Sequence, residues 1–382
     1  MDFESLFDIP IDDLHTPCYL TDARLLQKNT ALLKQIQQRT GCKILLAQKA
    51  FSMFSAYPLI RDDLAGTTAS GLFEAKLGRE HFGKEVHVFS PAYTQEDFTQ
   101  LLELCDHIVF NSFGQWKKYR QQVQDATRNI SCGIRINPGY AEVETDLYNP
   151  CISGSRMGVP LEQMEDDFAG LEGIHFHTMC EQNSDVLERT LDHMLPQFDK
   201  WLKRCKWVNF GGGHHITRPD YDVERLVRCI ERVRDTYGVQ VYLEPGEAVA
   251  LNAGYLVATV LDVVHNGMDI AILDASAACH MPDVLEMPYR PHILYSGTAG
   301  EKTHTYRLAG NTCLAGDVIG DYSFDHQLQA GEKLVFCDMA IYSMVKNNTF
   351  NGVPLPDIAL YQNGHIDLVK RFGYADFEGR LS

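Results

Sequence analysis

CKILLAQKAFS (42–52) distinguishes two α/β architectures, because it contains the end of the first long β-rich run and the turn that follows it. A doubly wound open sheet is expected to have a G-x-G-x-x-G turn after its first strand, and Lys49-Ala50-Phe51-Ser52 contains no glycine. A barrel strand needs no such turn. This segment therefore favours a barrel over the open sheet.

β-rich runs and helical patterns alternate regularly beyond this segment. Residues 22–40, 184–205 and 221–238 have apolar residues at helical spacing, and alternation of this kind is typical of parallel strands joined by crossover helices. Eight such units predict a (β/α)8 TIM barrel over residues 19–250. Its strands are predicted at 42–49, 66–71, 86–91, 107–112, 131–138, 173–178, 207–213 and 239–246.

The pattern changes after Ala250, where β-rich runs are broken by glycine and asparagine and long helices largely stop. This composition predicts an antiparallel β-barrel or sandwich domain over residues 251–382, with 1–18 as a candidate additional strand. The runs that carry the prediction are 254–267, 268–275, 302–310, 332–340 and 365–373.

Composition limits the classes of partner. The 382 residues include 34 Lys and Arg against 51 Asp and Glu, a formal charge of -17 that repels nucleic acids and anionic membranes and attracts cationic ligands. The eleven cysteines form no CxxC pair, the first ten residues are acidic, and no apolar run is long enough to span a membrane. These features predict a cytoplasmic protein with free thiols and no membrane or nucleic-acid partner.

Polar residues occur where the predicted strands end, which is where TIM barrels carry their chemistry. Strand one ends at Lys49, strand six at His177 and strand eight at Glu244, while strand five carries Arg135. Burial favours a neutral lysine amine, which is the form that reacts with a carbonyl group. The alternatives are a lysine that reaches the barrel rim and a glutamate that lies on the surface.

The glycines and histidines near these ends allow two further interpretations. Gly211-Gly212-Gly213 after strand seven indicate either a phosphate held by backbone amides or a tight turn. His175, His177, His214 and His215 raise a metal site, but no Asp/His cluster at another strand end completes a ligand set. We therefore expect no metal.

These motifs resemble the fold-type III pyridoxal-phosphate decarboxylases, the alanine-racemase-like family that includes ornithine and diaminopimelate decarboxylases. The matching segments are LLAQKA (45–50), GIHFH (173–177), NFGGG (209–213), EPG (244–246), GNTCLAGD (310–317) and DMAIYSMVKNNTFNG (338–352). They occur in the family's order and cover nearly the whole chain.

The resemblance implies the cofactor pyridoxal 5'-phosphate and a role for each matching residue. Lys49 would bind the cofactor covalently, His177 would stack on its ring, Glu244 would hold its ring nitrogen, and Gly211, Gly212 and Gly213 would bind its phosphate. Tyr342 matches a phosphate-binding tyrosine. Cys313 matches a cysteine that is lent across a homodimer interface and protonates the carbanion. Ordinary packing is the alternative for Tyr342, and inert burial is the alternative for Cys313.

One departure from the family pattern concerns the substrate. Ornithine- and diaminopimelate-type enzymes usually have an arginine after EPG, and this chain has Glu247. An acidic residue near a phosphate is unfavourable unless it faces a cation, so Glu247 suggests a substrate with ammonium groups. Asp283 is a second candidate acceptor, while Asp274 and Asp317 are competing ones. EPGEAV and the segment around Asp283 are similar to the carboxynorspermidine and carboxyspermidine decarboxylases of this family.

The sequence thus predicts a homodimeric decarboxylase with a polyamine substrate, which converts carboxynorspermidine to norspermidine and carboxyspermidine to spermidine. A diaminopimelate- or ornithine-type decarboxylase is the alternative within the family. A racemase would need a second base on the opposite face of the cofactor. A non-catalytic regulatory relative that binds a partner protein is the alternative from another class, and loss of Lys49 or Cys313 would indicate it; both are present.

Overall fold

The computed structural model describes residues 4 and 7–382, and the chain divides into two compact units. The barrel unit comprises Gln27–Val249, and the sheet unit comprises Met1–Leu26 with Ala250–Ser382. In chain order the strands are β1 (Cys18–Asp22), β2 (Lys43–Ala47), β3 (Gly66–Ala69), β4 (Glu85–Phe89), β5 (His107–Phe110), β6 (Ser131–Asn137), β7 (Val159–Pro160), β8 (Gly173–His175), β9 (Trp207–Asn209), β10 (Gln240–Leu243), β11 (Gly254–His265), β12 (Asp269–Leu273), β13 (Gly297–Thr298), β14 (His304–Ala309), β15 (Val318–Phe324), β16 (Lys333–Cys337), β17 (Asp357–Gln362) and β18 (His365–Lys370).

The helices of the described residues follow the predicted alternation. They are α1 (Ala23–Thr40), α2 (Tyr57–Ile60), α3 (Leu72–Leu77), α4 (Gln95–Leu104), α5 (Phe113–Gln124), α6 (Ser184–Leu202), α7 (Val223–Tyr237), α8 (Glu247–Ala250), α9 (Ala277–His280), α10 (Asp283–Glu286) and α11 (Tyr374–Glu378). The two ends of helix α7 are explained by the residues that cap them. The Asp222 side chain caps its N-terminus by accepting from the Arg225 amide, and Gly238 ends it in the left-handed region at φ 67°.

Eight parallel strands close the barrel. Neighbours along it are β5, β4, β3, β2, β10, β9, β8 and β6, and the pairing of β6 with β5 completes the circle. Strand β7 adds a short parallel pair to the end of β6. The predicted (β/α)8 barrel is confirmed.

Two glycines make room for the large side chain of Trp207 inside the barrel. A Cβ at Gly173 would lie 2.1 Å from the Trp207 ring, and one at Gly133 would lie 2.3 Å from it. The buried indole packs there with Leu45 and Val109. Glycine at both positions therefore makes room for the largest side chain in the barrel interior.

The predicted strands extend too far at their C-terminal ends. Strand β2 ends at Ala47 rather than Lys49, β8 at His175 rather than Thr178, β9 at Asn209 and β10 at Leu243. The backbone turns as soon as the parallel pairing stops. Lys49 and its counterparts thus lie in the loops at the strand ends, and only the strand boundaries were wrong.

The sheet unit contains nine strands in the described residues, mainly antiparallel. Their order is β13, β15, β14, β12, β11, β1, β17 and β18, with β16 also paired to β11. The pairs β12–β14 and β1–β17 are parallel, which the prediction of an antiparallel domain missed. Of the candidate strand at 1–18, only Cys18 belongs to β1, and residues 1–3, 5 and 6 lie outside the described residues.

Candidate active site

The barrel unit contains a cavity of about 700 Å³ at the C-terminal ends of its strands. A volume of this size suits a small molecule. The residues that line it include Ala47, Lys49, Thr68, Phe89, Arg135, His175, His177, Gly212 and Glu244, with much of the segment 146–157 along one wall. Three of the residues predicted from strand ends, Lys49, His177 and Glu244, thus meet in one cavity.

Lys49 projects into this cavity from the turn after β2, in which the Ala50 amide donates to the Ala47 carbonyl. Solvent reaches its side chain through the open cavity, yet the surrounding protein lowers the pKa of the amine by desolvation. The charge of Glu244 opposes this shift, and that of Arg135 adds to it. Lys49 forms no ion pair with any described residue, so no carboxylate in direct contact holds it as a cation.

Glu244 is a buried carboxylate with a hydrogen-bond donor on each oxygen. Asn209 Nδ2 donates to Oε1 at 2.7 Å, and His175 Nε2 lies 3.3 Å from Oε2. Burial alone would raise the pKa of Glu244, but His175, His87 and the Asn209 amide outweigh it and bring the pKa to about 2. Glu244 is therefore an anion held in a fixed orientation.

His175 and Arg135 form a layer beside this carboxylate. The His175 ring stacks on Phe89 at 5.6 Å, and the Arg135 guanidinium lies 4.6 Å from the centre of the same Phe89 ring. Arg135 is 4% exposed, and its burial lowers its pKa to about 10. Burial also lowers the pKa of His175, so its imidazole is neutral and donates from Nε2.

His177 lies on the cavity wall as a neutral ring. The Gly212 amide donates to Nδ1 at 2.8 Å, which requires that nitrogen to be unprotonated. Burial, together with the charges of Lys49 and Arg135, lowers the pKa of His177 well below its ordinary value. A neutral, half-buried imidazole of this kind presents a flat face to a bound aromatic ring.

Each glycine of the 211–213 turn touches another backbone segment. A Cβ at Gly211 would lie 2.5 Å from the Phe176 carbonyl oxygen, one at Gly212 would lie 2.6 Å from that of Glu244, and one at Gly213 would lie 2.0 Å from that of Met179. Gly211 and Gly213 also have positive φ values, 69° and 81°. Close packing alone thus explains all three glycines, and phosphate binding by them stays a prediction.

The four histidines of the metal alternative do not form a ligand cluster among the described residues. The group whose ligand atoms approach one another is Glu85, His87 and His107, at the N-terminal ends of the strands. The two imidazoles of that group are stacked at 3.9 Å with 9° between their planes. Because nitrogen lone pairs lie in the ring plane, stacked rings do not direct them at one ion. This cluster therefore lacks metal-site geometry.

Cys313 and Tyr342 belong to the sheet unit. Cys313 is exposed, and its backbone amide donates to Asn351 Oδ1 at 2.7 Å. Tyr342 is half-buried and has φ 46°, a left-handed conformation that is uncommon for a bulky residue. Both positions lie in loops between strands, and their predicted roles stay predictions.

Asp274 and Asp317 hold loops of the sheet unit. Asp274 accepts from the Thr16 hydroxyl at 2.6 Å and from the Thr259 amide at 2.7 Å. Asp317 is 2% exposed and accepts from the hydroxyls of Ser276 and Thr312, at 2.8 and 2.6 Å. These bonds give both carboxylates a structural role.

The other two predicted acceptors are less enclosed. Asp283 forms an ion pair with Lys346, which also binds Glu286 at 2.8 Å. Glu247 is half-buried at the start of α8 and is not among the residues that line the barrel cavity. It lies close enough to Cys180 to contribute, after burial and Glu181, to raising the pKa of that thiol to about 12.

The sequence motif NFGGG (209–213) predicted no role for its first residue, Asn209. The Asn209 side chain is fully buried and connects Glu244 to the glycine turn, because its Oδ1 also accepts from the Gly211 amide at 2.8 Å. The signal was a polar residue at the end of β9, two residues before the first glycine. Its contact with Glu244 depends on strand register, which a motif does not give.

Comparison with known proteins identifies the family. A family model described as pyridoxal-dependent decarboxylase, C-terminal sheet domain, matches residues 18–340. The chain belongs to the pyridoxal-dependent decarboxylases. The predicted enzyme class and pyridoxal cofactor are confirmed by this membership. No helix of the described residues is both long enough and apolar enough to cross a membrane.

Individual decarboxylases match over nearly the whole chain. A carboxynorspermidine/carboxyspermidine decarboxylase of Campylobacter jejuni is 42% identical over 97% of this chain and 99% of its own. A carboxyaminopropylagmatine decarboxylase of Synechocystis is 41% identical, covering 97% of this chain and 96% of its own. The crystal structure of carboxynorspermidine decarboxylase complexed with norspermidine from Campylobacter jejuni has a TM-score of 0.89 at 41% identity, covering 96% of this chain and 100% of that one. The resemblance drawn from the sequence is confirmed.

The residues present fit this decarboxylase cofactor. The cavity holds a lysine amine with a lowered pKa, an ionised carboxylate, and a neutral histidine ring on its wall. The buried Arg135 Nε and His175 Nδ1 have no hydrogen-bond partner among the residues that the structure describes. A covalent attachment point, a partner for a protonated ring nitrogen and spare polar atoms are what pyridoxal phosphate requires.

Proposed function

We propose that this chain removes the α-carboxylate of carboxynorspermidine or carboxyspermidine and releases norspermidine or spermidine. The observation that carries the proposal is the 42% identity, across both whole chains, to a decarboxylase named for these two substrates. Diaminopimelate decarboxylases match over a similar length at 22% identity. The shared cavity of Lys49 and Glu244 supplies the chemistry that the reaction needs.

Lys49 would hold the cofactor covalently through its amine. Attack on a carbonyl carbon requires the unprotonated amine, and the desolvated setting of Lys49 favours that form. The protein contributes by leaving this lysine without an ion pair among the described residues, since a carboxylate bound to it would stabilise the ammonium form.

Glu244 would hold the cofactor's ring nitrogen in its protonated form. Pyridoxal phosphate, when bound, supplies an electron sink that accepts the electron pair released as carbon dioxide leaves. The anionic Glu244 would stabilise the positive ring nitrogen, and its two donors hold the carboxylate in place. His177 would pack on the ring, while Gly211–Gly213 and Tyr342 would hold the phosphate.

A proton must then replace the carboxylate at the α-carbon. The bond from the α-carbon to the carboxylate breaks, carbon dioxide leaves, and a new C–H bond forms. We assign this proton to the exposed Cys313 thiol of a second copy in a homodimer. The eleven free thiols fit the cytoplasmic location predicted from sequence.

The amine tail of the substrate would be bound by acidic side chains. Glu247, which follows EPG where related enzymes usually have an arginine, is the proposed acceptor together with Asp283, which also forms an ion pair with Lys346. The Synechocystis relative at 41% identity favours carboxyaminopropylagmatine as a second candidate substrate, whose tail ends in a guanidinium. Carboxylates bind both kinds of cation.

The test uses purified protein loaded with pyridoxal phosphate. Carboxynorspermidine, carboxyspermidine, carboxyaminopropylagmatine, diaminopimelate and ornithine are supplied separately, and carbon dioxide and amine products are measured. We expect kcat/KM for the first two to exceed that for the others at least about tenfold, a difference of about 1.4 kcal/mol in transition-state binding. A preference for carboxyaminopropylagmatine, diaminopimelate or ornithine would contradict the substrate assignment. Bound cofactor without turnover of any substrate would support the regulatory alternative.

A further inference from the structure

Asn209 is the last residue of β9, and its side chain is completely buried. Its amide group is used on both sides. Nδ2 donates to Glu244 Oε1 at 2.7 Å, and Oδ1 accepts from the Gly211 amide at 2.8 Å. One side chain therefore connects the buried carboxylate to the glycine turn.

Strand register places this asparagine between two other site residues. His175 pairs with Asn209 across β8 and β9, and Asn209 pairs with Tyr242 across β9 and β10, two residues before Glu244. His175 and Asn209 consequently reach different oxygens of the same carboxylate. The Glu244 amide also donates to the Gly211 carbonyl at 2.8 Å, so backbone and side chain of Glu244 are both fixed to neighbouring strand ends.

We propose that Asn209 is a positioning residue that holds Glu244 ionised and directed at the ring nitrogen of the cofactor. It acts through Glu244. This inference deepens the proposed function and rests on its cofactor, but not on the identity of the substrate. An N–H donor stabilises the charged form of a carboxylate and limits its rotation, and a side chain that also accepts from Gly211 is itself held still.

The conservative substitution Asn209→Asp separates this role from a structural one. When protonated, the introduced carboxyl has the shape of the amide, donates to Glu244 and still accepts from Gly211. When ionised, it donates nothing and places a second negative charge against Glu244. Repulsion between the two charges raises the pKa of the introduced carboxyl, so the donor returns as pH falls.

The experiment measures cofactor release from the holoenzyme between about pH 5.5 and 9, and the dissociation constant is divided by that of the unchanged protein at each pH. Taking this ratio cancels the pH dependence that the variant and the unchanged protein share. Asn209→Leu, which lacks both bonds, is expected to weaken cofactor binding at least about tenfold at every pH. Asn209→Asp is expected to weaken it about tenfold or more near pH 9 and to recover to within about threefold near pH 5.5.

Asn183→Asp is the matched control. Asn183 is a half-buried asparagine that also bonds on both sides, to the Asp220 carbonyl through Nδ2 and to the Asp222 amide through Oδ1, at 2.8 and 2.9 Å. The cofactor dissociation constant of this control is expected to stay within about threefold of that of the unchanged protein at every pH, because Asn183 does not contact Glu244. Thermal unfolding shows whether each variant is folded.

Two outcomes would overturn the inference. The first is Asn209→Leu binding the cofactor as the unchanged protein does. The second is an Asn209→Asp ratio that does not change with pH, which would mean that Asn209 only supports the turn. Failure of the unchanged protein to bind cofactor would instead overturn the proposed function, while failure to act on polyamines would leave this result standing.

Discussion

Two lysine and glutamate pairs lie at opposite ends of the same barrel, and they differ in whether the charges meet. At the N-terminal ends of the strands, Lys43 binds Glu85 directly, and the Tyr242 hydroxyl lies 3.1 Å from the same carboxylate. At the C-terminal ends, Lys49 forms no ion pair with any residue that the structure describes, while Glu244 is satisfied by other donors.

This difference favours the pair at the C-terminal ends for the proposed reaction. A carboxylate in contact with a lysine stabilises the ammonium form, whereas desolvation without such contact favours the neutral amine. Glu244 remains anionic because Asn209 and His175 donate to it. Under the proposed function, the separated pair of Lys49 and Glu244 would provide a nucleophile and an anion in one cavity, whereas the joined pair of Lys43 and Glu85 would contribute to stability.

Replacing the two lysines should give the largest difference in activity between the two pairs. Lys49→Ala removes the attachment point and is expected to lower kcat/KM by about 10⁴-fold. Lys43→Ala removes a partly exposed ion pair and is expected to leave kcat within about threefold, with a loss of about 1 kcal/mol in unfolding free energy. Carbon dioxide release and urea unfolding measure the two effects. Equal loss of activity in both variants would contradict the distinction.

The two glutamates give the next largest effect. Glu244→Gln keeps the shape of the side chain but removes the anion at the ring nitrogen, so we expect kcat to fall by about 10²- to 10³-fold. Glu85→Gln is the control, and its kcat should change less than about threefold. Single-turnover decarboxylation isolates the chemical step. A Glu244→Gln variant with unchanged kcat would remove Glu244 from the mechanism.

The ion pair of Lys43 and Glu85 should make the unfolding free energy depend on pH in the acidic range. Burial would raise the pKa of Glu85, but His87 and Lys43 outweigh it and bring the pKa to about 2. Because the folded-state pKa lies below the unfolded value, this stabilisation is complete above about pH 4.5 and is lost as pH falls towards 2. We expect Glu85→Gln to be less stable by about 2 kcal/mol at pH 6, with the difference vanishing near pH 2. Unfolding free energies are measured in urea at each pH. A difference between the two proteins that does not change with pH would contradict this prediction.

Replacing a third glutamate, Glu247, should have the smallest effect. Glu247 lies beyond the cavity lining, and its proposed contact is with the amine tail of the substrate. Glu247→Gln is expected to raise KM for carboxynorspermidine about tenfold, while the dissociation constant of the cofactor stays within about twofold. Loss of cofactor in this variant would show that Glu247 supports the cofactor instead.

The sequence predicted the barrel because its evidence is local. Alternating β-rich and amphipathic segments and the missing glycine turn after Lys49 are visible in short windows. The pairing of β1 with β17 is not, since it joins Cys18 to Asp357 in parallel across nearly the whole chain. The strand ends were also placed too late, because residues such as His177 continue the composition of a strand after the backbone has turned.

The candidate site was predicted in part for the same reason. Lys49, His177 and Glu244 were found because they follow strands, and they do line one cavity. Asn209 was missed because its role depends on the register that aligns three strands. The joined pair of Lys43 and Glu85 was missed because its residues come from two strands far apart in sequence.

Whether Lys49 is the reactive lysine can be tested directly by identifying the lysine that carries the cofactor. Borohydride reduction of the holoenzyme fixes the bond between the lysine and the cofactor, and peptide mass spectrometry then locates the modified residue. We expect a single modified peptide that contains Lys49. Modification of Lys43 or another lysine, or of none, would contradict it.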